Sequence, residues 1–546
     1  MNRRFALFSL VLVAIGAVAG GLFGKLPART SADSGVTSER VLADYKEALN
    51  LISDSYAGAI DPEKVTDSAM QSMLWTLDPH SSFFSRDELR KLDEEQASQF
   101  YGVGVSILQH HNGVYIQSVI PNTPADKAGL RYGDRFYTVE GKDAKDWTSA
   151  EVSRNVRGER GTTVKIQIER VGSTTPLDFE IVRGGVPLPS IRNSFMLPNS
   201  VGYIGLTGGF QQTTTEELSI SIADLKKKGM KSLILDLRGN PGGILEQAVG
   251  VVSKFIPTGQ TVVSVGKGSG EKERELRANG GGAETFPLVV MINGASASAS
   301  EIVAGAIQDY DRGVIVGSDS FGKGLVQRVF RLPYGTGITL TTARYYTPFG
   351  RSLQRDYSNG SIYDYYTHGE DQPGVAESDV KPKPAGSPVT TTNGRILFGG
   401  RGIEPDVVAE TPAASPLRSR IGEAAFFFVR QLVAGKIAGF ESYKVEKQNF
   451  KQLVAPNEFA VPDKLFEAFR SFVASDSANG LSAQNVCAQS DYAKTRLREE
   501  LATANYSTEA GVQVLLEADP QILRAIEIVP QASSLVTMNP RGGIMN

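Results

Sequence analysis

A chain of 546 residues is too long for a single hydrophobic core, so about two to four domains are expected. An apolar content of 41%, a charged content of 21% and a net charge of −3 are those of ordinary globular protein, and no basic stripe with interleaved aromatics argues for nucleic acid. Cys487 is the only cysteine, which excludes an internal disulfide and zinc sites built on several thiolates.

The thiol of Cys487 reads as a small buried hydrophobe or an inert group in a helical tail. Of the four histidines, His110 and His111 fall at a hairpin tip before Asn112-Gly113, and none of the four sits in metal-ligand spacing. A Ser-His-Asp arrangement through His80 or His368 stays open. The scarcity of histidine makes a lysine the more attractive catalytic base.

Residues 1–35 read as an export segment and linker. Asn2-Arg3-Arg4 is a positive start, and Phe5 to Phe23 is a run without charge, about long enough to span a bilayer. Ala17-Val18-Ala19 offers a cleavage site, so a removed signal peptide and a retained anchor both fit. The arginines would stay in the cytoplasm, leaving the rest of the chain outside it, in a periplasm.

Residues 36–98 form a helical segment, with Val41, Tyr45, Ala48, Leu49 and Ile52 at helical spacing and a helix start at Ser85-Arg86-Asp87-Glu88. Asp78-Pro79 reads as the close of the segment's second helix. Residues 99–186 change to glycine loops and strands, with Tyr101-Gly102-Val103-Gly104-Val105, Val114-Tyr115-Ile116 and the stretch Pro121 to Asp134. That stretch resembles a PDZ domain, whose glycine loop takes a peptide's terminal carboxylate on backbone N–H groups while the peptide extends a sheet edge. By this resemblance Val103, Gly104 and Val105 are the carboxylate cradle.

Residues 187–356 repeat a strand–helix pattern. Ser232-Leu233-Ile234-Leu235-Asp236-Leu237 is a nearly all-apolar strand, expected where helices cover both faces, and it leads into Arg238-Gly239-Asn240-Pro241-Gly242-Gly243. Leu288 to Ile292 is another strand, followed by Ser296, Ser298 and Ser300 alternating with alanines and then a helix. Ligands of such a domain gather at the strand carboxyl ends, so the Asn240–Gly243 and Ala295–Ser298 turns are expected to meet across a cleft. Lys323 follows between two glycines, with Gln327 four positions later.

Residues 357–397, rich in Gly, Pro, Ser, Thr and charge, read as a surface insertion whose tyrosines (Tyr357, Tyr363, Tyr365, Tyr366) pack locally. Residues 398–412 return to the core. Residues 413–546 are a helical extension with apolar stripes at Ala424 to Val433 and at Leu465, Phe466, Phe469, Phe472 and Val473. Such stripes are core or oligomer contacts, and a homo-oligomer is expected. The residues after Gln531 read as a loose tail.

With D-L-R-x-N-P-G-G, S-A-S-A-S-E-I and G-K-G-x-V-Q in this order behind an export segment and a PDZ-like module, the chain resembles the carboxyl-terminal processing proteases, tail-specific serine peptidases of family S41, over about residues 39–410. The resemblance implies a multidomain α/β fold: a PDZ-like β-rich module, a crotonase/Clp-like α/β peptidase core, and helical N- and C-terminal segments. It implies Ser298 as nucleophile, Lys323 as general base and Gln327 as the residue orienting the lysine. It also implies an oxyanion hole from the backbone of Ala299 and of Gly242 or Gly243. Ser296 and Ser300 compete as nucleophiles, and only the family register selects Ser298.

The implied activity is that of an exported endopeptidase that binds the free C-terminus of exported proteins and cuts through an acyl-enzyme. It needs no metal or cofactor and is compatible with an adaptor protein. Independently of the family, a free lysine of pKa ~10.4 is protonated at neutral pH, and burial lowers that value. Gln327 is neutral, so it holds the amine without fixing its charge. Arg157, placed by this reading on the far side of the PDZ-like module, either links peptide binding to active-site alignment or is an exposed turn arginine. Two rivals from other classes are a non-catalytic PDZ scaffold, disfavoured by the intact Ser298, Lys323 and Gln327, and an acyl-thioester enzyme or lipid binder on the same α/β core, disfavoured by the export segment and the PDZ-like module.

Overall fold

The computed structural model describes residues 37–267, 274–357, 385–409, 415–475 and 480–538. The export segment, the linker, His368, Tyr363, Tyr365 and Tyr366 lie outside them. Among the described residues no helix is long and apolar enough to cross a membrane.

Up to Met73 the chain forms its own unit. Helix Ser38–Ser55 is capped by Thr37, whose hydroxyl accepts the Arg40 N–H, and a second helix, Pro62–Trp75, follows. The apolar side chains that set the helical spacing, Val41, Tyr45 and Ile52, are exposed.

From Leu74 onward the chain is a second unit. The predicted helix start at Ser85 caps Arg86–Gln96, with the Glu88 carboxylate accepting the Ser85 N–H at 2.9 Å. A six-stranded antiparallel sheet with the main order Val105–His110, Gly113–Val119, Arg135–Val139, Thr163–Glu169, Leu177–Val182 makes the β-rich module. Alternation puts Val114, Ile116, Phe136, Val139, Val164, Ile166 and Ile168 inward, where they share one core under helix Ser149–Val156. Among the described residues Val105–His110 pairs on one side only, which leaves its other edge open.

The α/β core is a six-stranded sheet ordered Ile191–Leu197, Val201–Leu206, Ser232–Asp236, Leu288–Ile292, Val314–Gly317, Val407–Val408, parallel throughout except for the first pair. Helices Thr214–Lys227, Leu245–Val252 and Ala299–Asp309 cover one face. A second, antiparallel sheet joins Ser82–Phe84, Gly337–Tyr346, Thr261–Gly266 and Arg274–Arg277, with Leu325–Arg331 also paired to Gly337–Tyr346. It carries the lysine strand.

The opposite face of the parallel sheet is covered by the C-terminal extension. Ile522, Ala525, Ile528 and Ala532 of helix Pro520–Met538 pack on Tyr203, Ile234, Val289, Met291 and Val316. This corrects the expectation of a loose tail from Gln531: the helix runs on to Met538 because its apolar stripe is the second covering layer that an all-apolar parallel strand requires. The stripe on Pro416–Val433 packs with that on Asp463–Ser475 and against Tyr115 and Tyr132 of the β-rich module, so both stripes are intramolecular core.

Two further expectations change. The insertion does not extend to residue 397: Ala385–Thr390 and Ile396–Gly399 form a hairpin, and Arg395 is tied to the core through the Asp311 and Asp406 carboxylates and the Gln308 carbonyl. Of the two readings of Cys487, the buried one is excluded: the thiol is exposed, on the short helix Ala483–Ala488 of the C-terminal extension.

Because Ile522 is fully buried under the sheet, Ile522→Ala is expected to destabilise the protein by about 2–5 kcal/mol, read from urea unfolding. A loss below about 0.5 kcal/mol would show that this helix is dispensable to the core.

Candidate active site

Strand Leu288–Ile292 ends in a turn that forces Ser298 to a φ of 55°, a left-handed conformation costly for a residue with a Cβ, before helix Ala299–Asp309 begins. The three serines have separate fates. Ser296 is fully buried, donating its hydroxyl to the Leu237 carbonyl at 2.8 Å and accepting the Asn293 N–H at 3.0 Å. Ser300 is equally buried and donates to the Asn240 carbonyl at 3.0 Å. Both therefore clamp the loop that follows strand Ser232–Asp236. Ser298 is half-buried and its hydroxyl is not spent on that loop, which separates it from its neighbours on geometry alone.

The Asn240–Gly243 loop meets this turn, as the strand-end argument expects. The buried Asn240 side chain donates to the Leu206 carbonyl and accepts the Gly242 N–H at 2.9 Å, while its own carbonyl takes the Ala297 N–H at 3.0 Å. A Cβ on Gly242 would lie 2.8 Å from the Ser298 Cβ and 3.0 Å from the Ala299 nitrogen, so only glycine permits the approach. The two glycines differ as donors. The Gly242 N–H is spent on Asn240, whereas no hydrogen bond among the described residues takes the N–H of Gly243 or of Ala299.

Lys323 stands on the loop between strands Val314–Gly317 and Leu325–Arg331. The loop is joined to the serine turn by one side chain that the sequence reading overlooked. Glu301 is fully buried; its Oε2 accepts the N–H groups of Ser298 and Lys323, each at 2.8 Å, and its Oε1 accepts Ser320 Oγ at 2.5 Å and the Gly322 N–H at 2.6 Å. Two nitrogens sharing one oxygen lie no farther apart than twice that distance. The signal was present in the glutamate three positions after Ser298, a helix-capping spacing, but its second set of donors is remote in sequence. Burial pushes the Glu301 carboxyl up, and hydrogen bonds from Ser320, Lys323, Ser298 and Gly322 oppose it.

Burial pushes the Lys323 ammonium below its ordinary value, outweighing the attraction of the Glu301 and Asp78 charges. No hydrogen bond or ion pair among the described residues takes its amine. Gln327 is half-buried; its Nε2 donates to Thr341 Oγ1 at 2.8 Å and its Oε1 is buried without a partner. His80, also overlooked as a neighbour, is pushed down to about 3 by burial and by the Lys323 charge, so it is a neutral imidazole beside the lysine.

At the β-rich module, the carbonyls of Val103 and Gly104 turn inward to the N–H groups of Ala125 and Ile120. No hydrogen bond among the described residues takes the N–H groups of Val103 and Gly104, while Val105 begins the open-edged strand. Arg157 is not on the far side of this module. Its guanidinium carbon lies 4.1 Å from the centre of the Phe100 ring, and the backbone of Gly102 packs on it, because helix Ser149–Val156 ends beside the loop.

His110 and His111, without ligand spacing in sequence, meet Glu423 with ligand atoms all within 4.8 Å of one another. Both ring nitrogens of His110 already have partners in Asn112 and Glu423.

The model of Peptidase family S41 matches residues 200–365, and that of the PDZ domain matches residues 102–181. The carboxy-terminal-processing protease of Bartonella bacilliformis is 36% identical over 317 residues, covering 57% of this chain and 72% of its own length. The carboxy-terminal processing protease CtpA of Bacillus subtilis is 33% identical over 359 residues, covering 65% of this chain and 76% of its own. The carboxyl-terminal-processing protease of Synechocystis is 34% identical over 289 residues, covering 52% and 67%. With that much of these relatives' length matched and both domain types in place, the chain belongs to peptidase family S41, among the carboxy-terminal processing serine proteases.

Proposed function

We propose that this protease is an exported endopeptidase that captures the free carboxyl terminus of a substrate protein and cuts it with Ser298 and Lys323. The observation that carries the reading is the Glu301 carboxylate fastening the backbones of both residues, with Ser298 the one serine of three not clamped to the neighbouring loop.

The substrate tail adds as a strand along the open edge of Val105–His110, its carboxylate on the amides of Val103, Gly104 and Val105. Ser298 Oγ attacks a peptide carbonyl as Lys323 Nζ takes its proton, and the Ala299 and Gly243 N–H groups receive the oxyanion. Of the two glycines, Gly243 is preferred because the Gly242 donor is already engaged. Such a donor lowers the barrier by about 3–4 kcal/mol. The lysine returns the proton to the leaving amine, and a water activated the same way releases the acyl group from Ser298. Gln327 orients the amine.

The charged start and apolar run at the N-terminus support export to a periplasm, with the segment either removed or kept as an inner-membrane anchor. Exported proteins with loosely structured tails are the fitting substrates, and neither an adaptor nor a homo-oligomer conflicts with the site. Arg157 is proposed as the gate: beside the carboxylate loop and stacked on Phe100, it meets the arriving carboxylate and the Gln99–Gly102 strand, which pairs with Gly184–Pro187 at the entry to the core.

Incubation with an unstructured peptide bearing a free carboxyl terminus is expected to give cleavage by the wild type and none by Ser298→Ala. No wild-type cleavage would sink the protease reading, and cleavage surviving the substitution would sink the Ser298 assignment. The neutral amine is the base, so activity should rise with pH through a limb below the ordinary lysine value of 10.5. Lys323→Arg, permanently protonated, should lose at least about 100-fold in kcat across that range. A limb at or above the ordinary value would remove lysine as the base. Arg157→Ala should lower kcat/KM about tenfold for the free-acid peptide and leave its C-terminal amide unaffected; unchanged binding and turnover of both would end the gating role.

A further inference from the structure

Gln327 is useful to Lys323 in only one of its two amide orientations. With Oε1 toward the amine it accepts a hydrogen bond from the ammonium or the amine, and with Nε2 there it puts a donor against a donor. The amide is free to turn about its last bond unless a neighbour distinguishes oxygen from nitrogen.

Thr341 is that neighbour. It lies opposite Gln327 because the pairing of Leu325–Arg331 with Gly337–Tyr346 slips by one residue between Val326 and Gln327: Val326 faces Ala343, Gln327 faces Thr341, and Thr342 is left over. Such a bulge re-aims a side chain. Gln327 Nε2 then donates to Thr341 Oγ1 at 2.8 Å, and Oε1 is left buried and unpartnered.

The Thr341 hydroxyl is itself constrained. It interacts with the Asp78 carboxylate, which has no proton to give, so the hydroxyl donates there and offers Gln327 a lone pair. The Asp78 loop also grips the Thr341 backbone: Ser81 Oγ donates to Asp78 Oδ2 at 2.8 Å and accepts the Thr341 N–H at 3.2 Å. Asp78 and Ser81 are both buried. Burial pushes the Asp78 carboxyl up, but hydrogen bonds from Ser81, His80 and Thr341 together hold it below its ordinary range, so it is an acceptor at neutral pH.

The geometry points to Thr341, held by the Asp78–Ser81 loop, as the positioning residue that fixes Gln327 with its carbonyl oxygen toward Lys323. This rests on the Ser298–Lys323 reading above. The other charged or titratable groups acting on Lys323 are Glu301, Asp78 and His80, and Arg355 acts on His80. None of them belongs to the bulged strand pair, and of them only Asp78 shares the Thr341 hydroxyl, so replacing Thr341 leaves Glu301, His80 and Arg355 in place.

The test compares Thr341→Val, Thr341→Ser and the exposed neighbour Thr342→Val with the wild type on a free-acid peptide, with rates taken per folded enzyme from melting curves and across pH. Thr341→Val is expected to lose about tenfold in kcat with KM unchanged. The acid limb of its profile should move to lower pH, since the ammonium has lost its fixed acceptor. Thr341→Ser should restore both, and Thr342→Val should change neither. A Thr341→Val enzyme with wild-type kcat and profile, or one whose loss follows the folded fraction alone with no shift of the limb, overturns the inference. Should Thr341→Val not fold, Thr341→Ala carries the same comparison. Lys323→Ala run alongside separates the two readings: if it remains active the Ser–Lys assignment fails, whereas an inactive Lys323→Ala with an unaffected Thr341→Val removes only the positioning role.

Discussion

The site depends on a single buried carboxylate. Glu301 holds the N–H groups of Ser298 and Lys323 on one oxygen and the Ser320 hydroxyl and the Gly322 N–H on the other. A carboxylate offers about four acceptor positions, and here they are filled by three backbone amides and a hydroxyl, which offsets the cost of burying its charge. A glutamine at this position would place an N–H2 group against donors, so the arrangement requires a carboxyl side chain. The same bonds set the reach between Ser298 and Lys323, because backbone so pinned leaves the two side chains only their rotamers to explore. Catalysis by a lysine needs this rigidity more than catalysis by an imidazole does, since the flexible butyl chain must be confined before it is useful.

The environment of Lys323 follows the same economy. Burial lowers its preference for the charge, while Glu301 and Asp78 pull the other way. The neutral His80 adds bulk and desolvation without adding charge at working pH. Gly322 and Gly324 let the loop lie against Arg355 and Gln354: a Cβ on Gly322 would come within 3.1 Å of the Arg355 side chain, and the Gly324 N–H is taken by Gln354 Oε1. The site is therefore assembled from segments far apart in the chain, from Asp78 to Gln354.

The C-terminal extension is part of the same machine. Arg238, at the root of the Asn240–Gly243 loop, holds Asp236 on one side and Asp519 at 2.8 Å on the other, so the last helices are tied to the strand end that carries this loop. The Asp-Leu-Arg spacing that looked like family signature has a physical use: it anchors the loop from behind while Asn240 fixes it from within. On the other flank the extension packs on the β-rich module, where Tyr132 donates to the buried Glu500 at 2.7 Å. Burial and the neighbouring Glu499 push the Glu500 carboxyl above its ordinary range.

The sequence by itself determined the local and periodic features. Alternation and all-apolar runs gave the strands Ser232–Asp236 and Leu288–Ile292, capping gave Arg86–Gln96, and motif order gave the family and the candidates Ser298, Lys323 and Gln327. These are short-range signals, fixed by backbone geometry and by the need to hide apolar faces. Tertiary structure alone decided what depends on partners remote in the chain. It separated Ser298 from Ser296 and Ser300 by spending their hydroxyls on the Leu237–Asn240 loop, and it gave Gly243 rather than Gly242 the open N–H. It moved Arg157 to the carboxylate loop, turned a loose tail into the helix that closes the sheet, and placed Asp78, Ser81 and Thr341 behind Gln327. A hydrogen bond between distant residues leaves no period or spacing in the sequence, because either partner looks like an ordinary polar residue until the fold brings them together.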